Sequence, residues 1–81
     1  MKSTWNYRIL AVPVHGEPEP YLQLTEVHYT DGVPTNYATN GARFGSDVSV
    51  DEILMMLDLA KEALTKPILW YGDLFPQEYK N

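Results

Sequence analysis

Residues 49–67, SVDEILMMLDLAKEALTKP, carry the clearest secondary-structure signal in the chain. Ser49, followed three residues later by Glu52, forms a capping box, the exchange of side-chain and backbone hydrogen bonds that starts an α-helix. Val48 and Ile53 occupy the two positions of a hydrophobic staple around this cap. Pro67 has no N–H group and cannot continue a helix. The stretch therefore predicts one helix that begins at the cap and ends shortly before the proline.

The apolar residues of this helix recur at the spacing of one helical face. The predicted inward stripe consists of Val50, Ile53, Leu57, Ala60 and Leu64, flanked by Leu54 and Met56. The acidic side chains on the opposite side are Asp51, Asp58 and Glu62. Met55 and Leu59 point into this acidic side. We therefore expect these two residues to take no part in the contact between the helix and the rest of the chain.

Two extended segments joined by a tight turn precede the helix. Residues 5–12 alternate in apolar character with the period of two that a strand requires. Residues 21–30 form a second extended run, but their alternation slips near the middle. Either a β-bulge or burial on both faces explains that slip. Asp31 and Gly32 lie between the second run and a third, and this pair tolerates the positive φ angles of a hairpin turn.

The third strand begins near Thr35 and includes Tyr37. Pro34 favours an edge position for it, because proline cannot donate to a sheet ladder. Asn40-Gly41 then interrupts the strand, either as a bulge or as a second turn. These elements predict an α+β fold, a three-stranded antiparallel meander packed on one C-terminal amphipathic helix, with an apolar C-terminal tail. We expect a single domain over residues 1–81, with a core at about 5–69 and an aromatic tail at 70–81.

Composition limits the classes of function. Eleven acidic against six basic side chains give a net charge of −5, which repels phosphate backbones, so we expect no direct nucleic-acid binding. The chain has no cysteine, and therefore no disulfide and no thiolate nucleophile. It has no apolar run of the length of a signal peptide or a membrane span. These features predict a cytoplasmic protein that does not contact a membrane.

The chain offers few groups for catalysis or metal binding. Its imidazoles are His15 and His28, whereas a zinc site needs three or four protein ligands, so we expect no metal and no cofactor. It has no nucleophile elbow and no glycine-rich phosphate loop, so we expect no catalytic residues. The alternative interpretation is a small enzyme or ligand-binding domain whose site lies on the sheet around Tyr7, Glu26, His28 and Tyr37.

The segment after the helix is unusually apolar and supplies most of an expected interaction surface. That surface consists of Met55, Leu59, Leu69, Trp70, Tyr71, Leu74 and Phe75. Contiguous apolar patches of this size usually mark an interface. Either the tail folds back over Met55 and Leu59 within one chain, or each tail covers the helix of its mate in a two-fold homodimer. The frequency of two-fold pairs favours the homodimer. The chain is thus expected to be a non-enzymatic interaction or regulatory module that binds another protein or itself.

Several short motifs resemble known families. The chain is similar to a family of small uncharacterised bacterial proteins, through Trp5-Asn6-Tyr7-Arg8, Glu26-Val27-His28-Tyr29, Asp31-Gly32-Val33-Pro34 and Ala63-Leu64-Thr65-Lys66-Pro67. That likeness covers residues 5–69 and implies a bacterial protein without implying an activity. A weaker likeness is to the HicB-like antitoxin fold, through Ser49-Val50-Asp51-Glu52 and Ala60-Lys61-Glu62-Ala63-Leu64. It implies a sheet followed by a helix, and fold likeness alone assigns no function.

Overall fold

The computed structural model describes residues 1–44 and 49–80. Its elements, in chain order, are β1 (Ser3–Val12), β2 (Tyr21–Thr30), β3 (Val33–Tyr37), α1 (Val50–Lys61), a 3₁₀ helix (Glu62–Thr65) and β4 (Leu69–Trp70). The strands form one sheet in the order β3-β2-β1-β4. The predicted α+β class is confirmed. Val48, the outer residue of the expected hydrophobic staple, lies outside the described residues.

The sheet has a fourth strand that the sequence did not predict. β1, β2 and β3 form the expected antiparallel meander, but β4 lies on the free edge of β1 and runs parallel to it. The Tyr71 amide donates to the Ala11 carbonyl over 3.0 Å. The chain then turns back, and the Tyr79 amide donates to the Ile68 carbonyl over 2.7 Å. The prediction of a three-stranded sheet with a separate tail is therefore wrong, because the tail continues the sheet.

The hairpin between β2 and β3 is confirmed. Asp31 has a φ of 51° and Gly32 a φ of 84°, the two positive angles that a tight two-residue turn needs. The Asp31 carboxylate also accepts from the Lys2 amide at 2.8 Å, which fixes the turn against the start of β1. β3 is an edge strand, as Pro34 predicted.

Of the two explanations offered for the irregular pattern of β2, burial on both faces holds in the structure and a bulge in this strand does not. β2 pairs with β1 residue for residue from Tyr21 to Thr30, and the register shift between β2 and β3 leaves the extra residue, Thr35, in β3. β2 is covered on both faces, since Leu24 packs on one side of the sheet and Val27 on the other. A strand buried on both faces has no reason to alternate strictly between apolar and polar residues.

The Asn40-Gly41 pair forms a turn after β3. Gly41 has a φ of 83°, and its amide lies 3.4 Å from the Ala38 carbonyl to which it donates. The Ala42 amide then donates to the Leu24 carbonyl over 2.8 Å, so the chain stays beside β2. A Cβ atom at position 41 would lie 3.3 Å from the Gln23 side chain. The turn therefore requires glycine for both its backbone angle and its close packing.

The start and the end of α1 follow the sequence signals. The Ser49 hydroxyl accepts a hydrogen bond from the Glu52 amide at 3.2 Å, so the predicted cap is confirmed. The α-helix ends at Lys61 and tightens into the 3₁₀ helix that ends at Thr65. Lys66 has extended angles, φ −114° and ψ 156°. A residue that precedes proline is driven out of the helical region, which explains the end of the helix before Pro67.

Each face of the sheet carries its own apolar cluster. On the helix face, buried Tyr7, Ala60 and Ala63 pack with Ile9, Leu24 and Ala42. On the opposite side, which we call the tail face, buried Leu10, Val27 and Leu69 pack with Tyr29, Tyr37, Tyr71 and Phe75. The helix thus closes one cluster and the C-terminal segment closes the other.

The predicted inward stripe of the helix is only partly correct. Within α1, all of which the structure describes, Ala60 is the one buried residue, and it is followed by Ala63 in the 3₁₀ helix. Ile53 and Met56 are half-buried and share the side of Ala60 on the helical wheel. Val50, Leu57 and Leu64, by contrast, are exposed. The helix therefore rests on the sheet through a narrower seam than the sequence pattern indicated.

Candidate interaction surface

A second apolar seam, which runs along α1 and continues into the 3₁₀ helix, faces solvent. Its members, spaced alternately by four and three residues, are Val50, Leu54, Leu57, Lys61 and Leu64, and we call them the outer seam. This spacing is the heptad pattern by which one helix packs against another. The four apolar members are between 44% and 80% exposed. The helix therefore has two packing seams, of which the sheet covers one.

An apolar groove runs beside the outer seam. It has a volume of about 390 Å³ and is lined by Ile9, Leu24, Phe44, Leu54, Leu57, Asp58, Ala60, Lys61 and Leu64. Phe44 forms one wall, with its ring centroid 5.6 Å from that of Tyr7. Asp58 and Lys61 are the charged residues of this lining. The groove thus joins the outer seam to the helix-face cluster in one continuous apolar surface.

Met55 and Leu59 are exposed but belong to a different side of the helix. They lie one turn apart on the helical wheel, away from both the outer seam and the sheet-facing residues Ile53, Met56 and Ala60, which form the inner seam. The structure agrees with the expectation that they take no part in the contact with the sheet. Neither residue lines the apolar groove.

The C-terminal segment lies on the side of the sheet away from α1. Leu69 is buried, whereas Trp70, Tyr71 and Phe75 are half-buried and Leu74 is exposed. The rings of Tyr71 and Phe75 pack on Tyr37, with centroid distances of 4.8 Å and 4.7 Å. The tail therefore does not cover Met55 and Leu59 within the chain, and that alternative is wrong. The reason is that the tail pairs with β1 and packs on the tail face instead.

The four residues of the alternative ligand site do not form one site. Tyr7 and Glu26 are cross-strand partners, and His28 pairs with Trp5 farther along the same face. Tyr37 lies on the tail face, where its hydroxyl accepts from the Gly72 amide at 2.8 Å. The pKa of the Tyr7 hydroxyl is raised, first by burial and second by the Glu26 carboxylate. A tyrosine in this state holds its proton and contributes mainly to packing.

Among the residues that the structure describes, no three side chains of the types His, Cys, Asp or Glu converge on a point that would hold a metal ion. None of the helices in residues 1–44 and 49–80 has the length and apolar character needed to cross a bilayer.

Two residues that pack on the faces of the sheet were not predicted from the sequence. Arg8 is buried on the tail face, where one guanidinium nitrogen donates to the Tyr29 hydroxyl at 2.8 Å and another to the Pro67 carbonyl at 2.7 Å. The position of Arg8 between apolar residues of β1 was the sequence feature that could have indicated its burial. Phe44 was missed as a groove residue, because it follows the last predicted strand without a pattern of its own.

Comparison of the chain with protein-family models, with curated protein sequences and with solved structures finds no match.

Proposed function

We propose that this protein is a non-enzymatic interaction module that binds a protein partner through the outer seam of α1 and the adjoining groove. One observation carries the proposal. Three large apolar side chains of α1 and Leu64 of the adjoining 3₁₀ helix stand exposed in heptad spacing, beside a groove whose lining is almost entirely apolar. Burial of such side chains is the main favourable term in protein association.

The geometry supports binding of a helix or a similar ridge. A seam spaced by four and three residues presents a ridge and holes into which the side chains of a second helix fit. The charged residues that line the groove beside it, Asp58 and Lys61, are exposed to solvent. Charged groups at a rim orient a partner more than they add affinity.

The alternative of a ligand site around Glu26 and His28 has weaker support. Tyr37 is on the other face of the sheet, and His28 is exposed next to Trp5 rather than enclosed. Small-molecule sites are concave and enclose most of their ligand. Neither Glu26 nor His28 lines the groove beside α1.

Position-specific photo-crosslinking in the living cell tests the proposal. A photo-reactive residue at position 54 or 57 probes the outer seam, and the same residue at Val33 serves as the control, because Val33 is also exposed but lies on the β3 edge. We expect discrete adducts from positions 54 and 57 and none from 33. Equal labelling at all three positions, or labelling at 33 alone, would contradict the proposal.

A second arm shows that the adducts depend on the seam. Leu64→Glu places a charge in the outer seam, and Leu59→Glu places the same charge on the side of α1 outside the groove. With the photo-reactive residue at 57, we expect Leu64→Glu to abolish the adducts and Leu59→Glu to leave them. Circular dichroism of both variants verifies that the fold is kept.

A further inference from the structure

We infer that the occupant of the outer seam is a second copy of this chain, packed with its α1 antiparallel to the first about a two-fold axis near Leu57. This inference rests on the proposed function, since it names the partner of that surface. A two-fold interface uses the same patch on both copies, so one seam and one groove are enough to build it.

Charge complementarity favours the antiparallel orientation. The first turn of α1 contains Asp51 and Glu52, and its last turn contains Lys61. When the axis passes at Leu57, Lys61 of one copy lies level with position 53 of the other. At a rise of about 1.5 Å per residue, the backbone of Asp51 in that copy lies roughly 3 Å from this level along the helix axis. Each dimer therefore brings two such pairs together, whereas a parallel pair would set Lys61 against Lys61 and Asp51 against Asp51.

The helix dipoles favour the same orientation. The positive end of one helix and the negative end of the next lie side by side in an antiparallel pair, and the acidic first turn and basic last turn follow that polarity. The net charge of −5 per chain opposes association in general. The two Lys61–Asp51 pairs offset part of this repulsion, whereas the two Asp58 residues, which lie about 3 Å apart in level along the helix axis, add to it.

The available apolar area matches a weak dimer. The exposed parts of Val50, Leu54, Leu57, Leu64 and Phe44 together offer on the order of 300 Å² per copy, if a whole aliphatic side chain presents roughly 100 Å². Apolar atoms make up about 56–65% of a typical interface, so the total is roughly 500 Å² per copy. Two copies then bury about 1,000 Å², which is the lower limit for a specific interface. We expect a dissociation constant in the micromolar range.

Sedimentation equilibrium of the full chain and four variants tests the inference. We expect the natural chain to dimerise at high micromolar concentration and Leu57→Glu, at the two-fold axis, to be monomeric. The matched control is Leu59→Glu, which adds the same charge outside the groove and should leave the dimer intact. A natural chain that is monomeric at about 1 mM, or a dimer that survives Leu57→Glu, would overturn the inference.

Charge exchange tests the orientation. Lys61→Asp weakens the dimer by at least roughly 2–30-fold, because two exposed ion pairs are lost and the new carboxylate also repels that of Asp51. In the double variant Asp51→Lys/Lys61→Asp, both pairs re-form with reversed sign, and affinity returns to within about threefold of the natural chain. In a parallel pair neither variant would change the affinity, so that outcome overturns the inference. The effect must also decrease at high salt.

Sedimentation and crosslinking together distinguish a failure of the proposed dimer from a failure of the proposed interaction surface. A monomeric chain that still gives adducts with a different protein from positions 54 and 57 overturns the second copy but keeps the interaction surface. A chain that is monomeric and gives no position-dependent adducts overturns both.

Discussion

The Arg8 guanidinium links three parts of the chain, and its removal has a calculable cost. It joins β1 to the Tyr29 hydroxyl of β2 and to the Pro67 carbonyl ahead of β4, over 2.8 Å and 2.7 Å. Arg8 is 8% exposed, so these hydrogen bonds are shielded from water. A hydrogen bond to a charged group contributes about 1.5–3 kcal/mol. Tyr29→Phe removes one of the two, and we expect it to lower the free energy of unfolding by about 2 kcal/mol.

A double-mutant cycle isolates that interaction. Arg8→Met replaces the guanidinium by an apolar side chain, which leaves the hydroxyl of Tyr29 without its donor. Once Arg8 is absent, Tyr29→Phe removes an unpaired hydroxyl and should cost nearly nothing, so the coupling energy is about 2 kcal/mol. Urea unfolding followed by circular dichroism measures all four proteins. For a domain of this size, 2 kcal/mol corresponds to roughly 8–16 °C in melting temperature.

Two results would refute this reasoning. One is a coupling energy below about 0.3 kcal/mol, which is the usual error of additivity between independent sites. The other is a change in the urea m-value for Tyr29→Phe alone, because that would show that the compactness of a state had changed rather than its stability.

Four further predictions concern the cap, the turn, pH and metal. Ser49→Ala lowers the free energy of unfolding by about 1 kcal/mol, and a loss below a few tenths in urea unfolding would show that the helix starts elsewhere. Gly41→Ala costs about 1–3 kcal/mol because its φ of 83° strains any Cβ, whereas Gly16→Ala, with an equal φ but open space around it, should cost less in the same assay. The raised pKa of Tyr7 gives stability that is present below pH 10.0 and is lost as the pH rises through the folded-state value. Tyr7→Phe should therefore lose less stability between pH 9 and pH 11 than the natural chain, and equal losses in urea unfolding would contradict this. Neither EDTA nor zinc should change the melting temperature, and a drop of several degrees in EDTA that zinc restores would reveal a metal site.

Local chemistry made some parts of the fold predictable. The Ser49 cap, the Asp31-Gly32 turn and the edge position of Pro34 each follow from what one or two residues can do with their own backbone. Such signals need no knowledge of distant parts of the chain. The structure confirms all three.

Long-range pairing made other parts unpredictable. β4 has two residues, too few for any alternation, and it exists because β1 offers a free edge at Leu10 and Ala11. The register of β3 on β2 decides on which face of the sheet Tyr37 lies, and a bulge shifts that register. That register separated Tyr37 from Tyr7, and so divided the expected ligand site between two faces.

The helix illustrates a limit of pattern analysis for the site itself. The apolar arc of α1 extends over the inner and the outer seam, and a helical wheel does not show which part of a wide arc the sheet covers. Small residues were the missing signal, because Ala60 and Ala63 permit a close approach of the helix that the bulky leucines would prevent. Because the helix packs on the sheet through these alanines, the bulkier residues of the outer seam stay exposed.

Because each face of the sheet has its own apolar cluster, the C-terminal segment and the helix can each detach from the sheet without the other. Detachment of the C-terminal segment would expose Leu10 and Val27 to water but leave the contacts of Ala60 and Ala63 unchanged, and loosening of α1 would do the reverse. The amides of the tail and those of the helix should therefore exchange with solvent deuterium as two independent groups, while those in the middle of β1 and β2 exchange only when the whole molecule opens. A partner bound at α1 would slow exchange in the helix without protecting the tail.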